Sequence, residues 1–224
     1  RRTLNKWAKK YWWYLGLQSF MRTSSEIETT SKRATKAAGF PWGIAEEVGK
    51  NIKNLELLSI SGVENLSLYL ELAKGIEIFG PKEISAENSI APNSFCPFYT
   101  GSALLDSANK VEKIKSLTLH SINFPILLIP FINRLSDRIG KKIKLQIDEH
   151  TFLLNLNKFI STNSNLKGLI IDRAKIVKIE IQENEDSFQS KVWDQLYELS
   201  TETFVEETDR LKENAAGAGL ADND

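Results

Sequence analysis

One stretch near the start of the chain places aromatic and acidic side chains around a tight corner. Its sequence is GFPWGIAEEVG, residues 39–49. Gly39 ends one helix and Pro41 precedes the next. Trp42 follows directly after this turn and is a candidate surface for a ligand to stack on. Glu46 and Glu47 fall in the first turn of the second helix, where a carboxylate acts as a general acid or base or simply favours the helix dipole. The second role, with the aromatic residues filling the core, is the favoured interpretation.

A second stretch, SFCPFYTGS at residues 94–102, contains the only cysteine. A thiol just before a helix has a lowered pKa and can act as a nucleophile. Only two histidines exist to supply a base, so we expect Cys96 to be buried and inert, while keeping it as a candidate ligand contact. Asp106, in the helix that follows, joins Glu46 and Glu47 as a candidate catalytic carboxylate.

The two histidines offer a weaker signal. His120 and His150 lie at predicted strand ends, and Asp148 and Glu149 precede the second, a set that could bind a metal. An exposed strand-end histidine and a polar turn are the favoured interpretation, so no metal site is predicted. The chain has no glycine-rich phosphate loop, HExxH or nucleophile-elbow motif, and it leaves any cofactor unknown.

Composition limits the class of protein. The chain has 224 residues, 29 basic and 29 acidic side chains, 42% hydrophobic residues and one cysteine. This suits a soluble globular domain and excludes a disordered chain, a disulfide framework and a cysteine-based zinc cluster. A single cysteine is typical of a reducing compartment, so we expect a cytoplasmic protein.

The first twenty residues differ from the rest. They hold five basic residues, no acid and three of the five tryptophans, and the remainder has 24 basic and 29 acidic residues. A basic aromatic segment could lie on an anionic membrane, but its apolar run, residues 11–17, is too short to span one. The favoured interpretation is a non-native leader with Met21 as the true start. The acidic body predicts neither a nucleic-acid nor a membrane partner.

Hydrophobic periodicity predicts an α+β fold, with N-terminal helices, a mostly antiparallel or mixed sheet, a buried central helix and a C-terminal helix. Ser25 and Glu28 have capping-box spacing, and Ile27, Ala34, Ala37 and Ala38 form a small apolar stripe on the same helix. Pro130 should kink or split the central helix. We expect the last helix to bury the apolar residues of one face, which are Phe188, Val192, Leu196, Leu199 and Leu211. The predicted helices span residues 24–38, 44–57, 63–74, 125–140 and 187–212, and the strands lie around residues 117–119, 143–147, 152–156 and 177–181.

The chain ends in AAGAGLADND, residues 215–224. Glycine and alanine let a backbone lie close to another surface, and Leu220 could anchor it. Asp222 and Asp224 would then be delivered to a functional site. The alternative is a frayed end. We therefore expect a single domain over residues 21–214, followed by a tail.

The runs SEIETTSKRATKAAGFPWGIAEEVG, PILLIPF and AAGAGLADND together resemble an uncharacterised family of bacterial proteins of similar length. The resemblance runs from about Met21 to Asp224. It implies no activity, but it suggests that the corner and the tail are features of the family.

Two hypotheses follow. The first is a small-molecule-binding or metabolic protein whose carboxylate-lined pocket is built by Trp42, Glu46, the 94–102 loop and the tail. Under this hypothesis a homo-oligomer is one expected assembly. The second is a non-catalytic accessory or assembly protein whose tail docks on a partner subunit. Acids converging on a concave pocket would favour the first.

Overall fold

The computed structural model describes residues 21–88 and 94–203, which fall into two units. The described residues up to Glu183 form the first unit, and those from Asn184 onward form the second. The predictions for residues 1–20, for Leu211 and for the tail lie outside the described residues. The sequence prediction of one domain over 21–214 spans both units.

Three helices open the first unit: α1 (Ser24–Ala37), α2 (Trp42–Leu57) and α3 (Gly62–Ala73). The capping box is formed by Thr23 and Glu26, rather than by the predicted Ser25 and Glu28, because the N-cap lies two residues earlier. The Glu26 side chain accepts from the Thr23 backbone N–H at 2.8 Å, and this bond lowers the pKa of the Glu26 carboxyl. Gly39 has a φ of +99°, as a glycine following a helix commonly has.

Helices α1 and α2 pack closely because of one glycine. A Cβ atom on Gly49 would lie 2.7 Å from the Glu28 carbonyl oxygen, so only glycine permits this approach. The buried face of α1 therefore consists of the small polar residues Ser31 and Thr35. Of the apolar stripe, Ile27 and Ala38 are partly buried against the core, whereas Ala34 and Ala37 are exposed.

The sheet has six strands among the described residues, in the order β1-β2-β6-β3-β4-β5. All neighbours pair antiparallel except the two-residue β1, which runs parallel to β2. The α+β class and the mostly antiparallel or mixed sheet are confirmed. The strands are β1 (Glu87–Asn88), β2 (Ser116–Asn123), β3 (Ile143–Ile147), β4 (His150–Asn155), β5 (Phe159–Thr162) and β6 (Arg173–Ile181).

The buried central helix is also confirmed, and it is split where Pro130 predicts. A 3-10 turn (Pro125–Leu128) leads into α6 (Ile129–Ile139), with Pro130 in its first turn and Gly140 at its end. Every residue from 125 to 133 is buried. Two further helices, α4 (Pro97–Asp106) and α5 (Ala108–Ile114), precede β2, and both contact α6.

The second unit contains α7 (Ser190–Thr201). The prediction that this helix buries its apolar residues is wrong for the described part. Its short amphipathic sequence is compatible with a helix, but none of its residues is buried. The residues predicted to be buried and found exposed are Phe188, Val192, Leu196 and Leu199. Over the described ranges, no helix is both long and apolar enough to cross a membrane.

We predict that Gly49→Ala lowers the free energy of unfolding by about 1–3 kcal/mol, because the new methyl group must push α1 and α2 apart. Thermal and urea unfolding would measure this. Gly43→Ala is the matched control, since a Cβ there has nothing within 4 Å. That control should unfold at or above the wild-type temperature because alanine favours helices over glycine. Equal stability of the two variants would contradict the close approach.

Candidate functional site

The corner places Trp42 and Glu46 on the surface. The Trp42 side chain is 56% exposed, and the ammonium groups of Lys32 and Lys36 lie 5.8 and 5.5 Å from its ring. Lys32 also donates to Glu46 at 2.7 Å. This bond holds the pKa of the Glu46 carboxyl below its ordinary value. Glu46 is therefore ionised near neutral pH. A general acid must instead carry a proton at that pH.

The other two predicted catalytic carboxylates lie elsewhere. Glu47 is half-buried and forms an ion pair with Arg134 of α6, and it lies 3.6 Å from Lys50. Asp106 is exposed at the end of α4. In the described structure the three carboxylates therefore do not converge on one pocket. Asp222 and Asp224 lie outside the described residues.

Phe40, the aromatic residue before Pro41, fills the core. Its ring centroid lies 5.4 Å from that of Phe98 of α4 in an edge-to-face pair, and the ring centroids of Tyr69 of α3 and Phe98 lie 5.1 Å apart. Such edge-to-face pairs add to the energy of burial. The corner therefore connects α1 and α2 to α3 and α4 through Phe40. The favoured interpretation is wrong for Trp42, which is exposed, and for Glu46 and Glu47, which lie beyond the first turn because α2 begins at Trp42.

Cys96 lies beneath this aromatic cluster, directly before α4. It is 2% exposed, and the Tyr69 hydroxyl hydrogen-bonds with its sulfur. Burial raises the pKa of the thiol to about 11, so the reactive thiolate is scarce at neutral pH. Burial likewise raises the pKa of Tyr69. The thiol has the surroundings of a structural residue.

The histidines do not meet. His120 approaches Glu87 at 3.1 Å, and His150 approaches Ser164 at 2.8 Å. The strand register places them on opposite faces of the sheet, with β6 and β3 between their strands. Asp148 accepts hydrogen bonds from two backbone N–H groups of β6. The described residues contain no group of three or more histidine, cysteine or acidic residues that could hold a metal ion.

A pocket of about 210 Å³ lies where α2, α6 and the β4–β5 turn meet, and we call it the amide pocket. Its polar wall carries three asparagines and one lysine, and its apolar wall carries leucine, isoleucine and proline. The residues that line it are Asn54, Leu55, Leu57, Leu58, Ile129, Pro130, Asn133, Asn157, Lys158 and Ile160. None of these described residues bears a carboxylate.

The turn that forms one wall of the amide pocket has an unusual backbone. Leu156 and Asn157 have φ values of +51° and +55°, in the left-handed region that residues with a side chain seldom adopt. Two buried side chains of α6 hold the turn there. Ser136 Oγ accepts from the Leu156 N–H at 3.0 Å, and Asn133 Nδ2 donates to Asn157 Oδ1 at 3.2 Å. The Lys158 N–H donates to the Asn155 carbonyl at 3.0 Å, so this is a tight hairpin turn, in which positive φ at both central residues is common. Asparagine tolerates that region, and the strain is therefore confined to Leu156.

Asn133 also carries an unsatisfied polar atom. The residue is 4% exposed, and its side-chain oxygen has no hydrogen-bond partner. Buried polar atoms without a partner are uncommon in folded proteins. The pocket therefore combines a strained turn, an unsatisfied buried amide and an open volume.

A second concavity, of about 490 Å³, lies between α1 and α3, and we call it the α1–α3 groove. Its walls include the exposed alanines of α1 and the apolar face of α3. The residues that line it are Thr30, Ser31, Ala34, Ala37, Ala38, Val63, Leu66, Ser67, Leu70, Glu71 and Lys74.

Sequence reasoning missed the amide pocket because it extended β4 through Leu156. The run LLNLNKF keeps the alternation of a strand, so the turn is hidden. Asn155 and Asn157 were the available signal, since asparagine tolerates the left-handed region and is common in turns. The contribution of α6 depends on its packing, which no local pattern reveals.

Comparison with known proteins gives one match. Residues 22–98 match a family model described as "Protein of unknown function (DUF3726)". No curated protein and no solved structure matches the chain significantly. The resemblance to an uncharacterised family is thereby confirmed over the part that contains the corner. Its extension to the C-terminal run stays a prediction.

Ser136→Ala should destabilise the protein by about 1–3 kcal/mol, because it leaves the buried Leu156 N–H without its acceptor. The Lys141 carbonyl, which accepts from Ser136 Oγ at 2.6 Å, also loses its donor. Amide exchange of Leu156 should accelerate more than exchange in β3. Ser67→Ala, at an exposed helical serine, is the control and should leave the stability and the amide exchange of Leu156 unchanged. Unaltered Leu156 exchange in Ser136→Ala would refute this role.

The buried thiol predicts loss of stability at alkaline pH. The folded-state pKa of Cys96 is raised from 9.0 to about 11, so its contribution is complete below pH 9 and is lost as the pH rises through 11. The loss reaches about 3 kcal/mol. Urea unfolding from pH 8 to 11 should show a shallower decline for Cys96→Ala than for wild type. Parallel declines, or rapid maleimide labelling of the native protein, would show an accessible thiol.

Proposed function

We propose that this chain is a small-molecule-binding protein and that its ligand occupies the amide pocket. The observation that carries the proposal is the buried Asn133, whose side-chain oxygen has no hydrogen-bond partner at the wall of an open volume. The adjacent β4–β5 turn is held in place by α6, so its polar groups are positioned in advance of binding. The lone buried Cys96 supports a cytoplasmic location.

The lining fits the general chemistry of ligand sites. Most of the wall is apolar, and a few polar side chains converge on it, as in small-molecule pockets generally. The volume of 210 Å³ is that of about seven water molecules in the liquid, which is below the usual range for drug-sized ligands. The ligand is therefore small, with an apolar part against Leu55 and Ile129 and a polar part against the asparagines.

The lining favours binding over catalysis. Asparagine does not titrate, and the described walls hold no nucleophile activated by a base. The acids predicted to be catalytic lie outside this lining, and Glu46 and Glu47 each have a basic partner. A carboxylate-lined pocket involving the C-terminal tail stays a prediction, as does a homo-oligomer.

The alternative is an accessory or assembly protein. The exposed apolar side chains of α7 support it, because a helix of twelve residues gains most of its stability from packing. The α1–α3 groove also offers an apolar surface. The tail, which the alternative assigns to a partner subunit, lies outside the described residues.

We expect that Asn54→Tyr abolishes ligand binding, because the larger side chain fills the pocket from α2. The probes are a mixture of small carboxylates, amides, alcohols and amines, and the readout is the ¹⁵N–¹H shift of the side-chain amides of Asn54, Asn133 and Asn157. Wild-type resonances should shift saturably with at least one probe, and in Asn54→Tyr the two remaining asparagine amides should not respond.

Asn109→Tyr is the matched control, since Asn109 is exposed on α5 and does not line the pocket. It should bind like the wild type. If no probe shifts the wild-type amides, or if both tyrosine variants bind equally, the amide pocket is not a ligand site.

A further inference from the structure

We infer that the amide pocket selects a small carboxylate, with Lys158 as the residue that recognises its charge. The inference rests on the proposed function and specifies the chemical class of the ligand. Lys158 is the only charged residue in the described lining. It lies on the strained turn, directly after Asn157, and both residues are exposed at the mouth of the pocket.

The charge of Lys158 is not neutralised within the described structure. Lysines 32, 53, 110, 115, 141 and 144 each form an ion pair, but no carboxylate lies within 4.0 Å of the Lys158 ammonium in the described ranges. A pocket with one positive charge and no acid in its described walls attracts an anion and disfavours a cation.

One hydrogen bond is compatible with the same class of ligand. Asn133 donates through Nδ2 to Asn157 Oδ1, so the acceptor of Asn157 is engaged and its amide N–H groups stay available as donors. Asn157 and Lys158 both line the pocket, whereas the unpartnered Asn133 Oδ1 requires a donor elsewhere on the ligand. A carboxylate has two acceptor oxygens, and hydrogen bonds to an ionised group are stronger than those between neutral groups.

The rest of the pocket limits the body of the acid. Leu55, Ile129 and Pro130 are buried or partly buried apolar walls, and an aliphatic or aromatic tail would gain the free energy of leaving water there. The small volume restricts that tail to a short chain or a single ring. Leu57, which is 66% exposed at the rim, would become covered when such a tail enters.

The test compares acids with neutral molecules of the same shape. Butyrate and benzoate are titrated against butyramide and benzamide, and dissociation constants are read from the Asn133 side-chain amide shift. We expect each acid to bind the wild type about fivefold more tightly than its amide, because only the carboxylate forms an ion pair with Lys158 and an exposed ion pair contributes up to about 1 kcal/mol. Lys158→Gln should abolish this preference by weakening acid binding more than amide binding, and Lys158→Arg should keep it.

Lys167→Gln is the control for net charge, since Lys167 is an exposed lysine outside the lining. It should keep the preference for acids. If the control loses it equally, the effect is a long-range field and the inference is overturned.

Equal binding of acids and amides by the wild type would also overturn the inference, but the small-molecule site would stand. If neither class binds and no probe of the wider mixture shifts the asparagine amides, the proposed function itself fails. If Lys158→Gln weakens acids and amides alike, Lys158 acts through shape and not charge, and the inference fails while the binding site remains.

Discussion

The buried segment formed by the 3-10 turn and α6 is the constraint on which the first unit depends. It contacts α2, α3, α4 and α5 as well as strands β3, β4 and β6, so both the helices and the sheet pack against it. Residues 125–133 are almost entirely apolar and lie inside the protein, because exposing them would cost hydrophobic free energy, whereas Asp137 and Arg138 near the end of α6 are exposed. Pro130 divides it, and the division lets the 3-10 part and the helical part meet different neighbours. Its only buried polar side chains, Asn133 and Ser136, both serve the β4–β5 turn.

This arrangement makes the amide pocket a product of two parts of the chain. Asn54 and the leucines of α2 lie within the residues that match the family of unknown function, whereas α6 and the turn lie beyond residue 98. The matched part supplies the helical layer and the aromatic corner, which fixes α2 against α4. The later part supplies the polar side chains that face α2. A ligand in the pocket would therefore contact both parts, and its binding would depend on the packing of α2 against α6.

The acidic residues of the corner illustrate how neighbours change the chemistry of a side chain. Glu46 and Glu47 are adjacent in sequence, yet one binds a lysine of α1 and the other an arginine of α6. Each pair connects α2 to a neighbouring helix, and the bond from Lys32 lowers the pKa of the Glu46 carboxyl. Asparagines have no such alternative, because their amides do not titrate and they must find donors and acceptors. In the proposed ligand site these uncharged groups, with Lys158, would provide the recognition that the acids were expected to provide.

Periodicity in the sequence determined the α+β class, the first three helices, the strands around residues 143–147 and 177–181, and the split at Pro130. These follow from local physics: alternation defines a half-buried strand, and proline removes a backbone donor. The tertiary structure alone decided which face of α1 is buried, because Gly49 on another helix sets the distance of approach. It also decided that the strand pattern stops at Asn155, since two side chains of α6 hold Leu156 and Asn157 in a conformation that their own sequence does not require. The amide pocket depends on contacts between residues a hundred positions apart, and a pattern read along the chain contains no information about that distance.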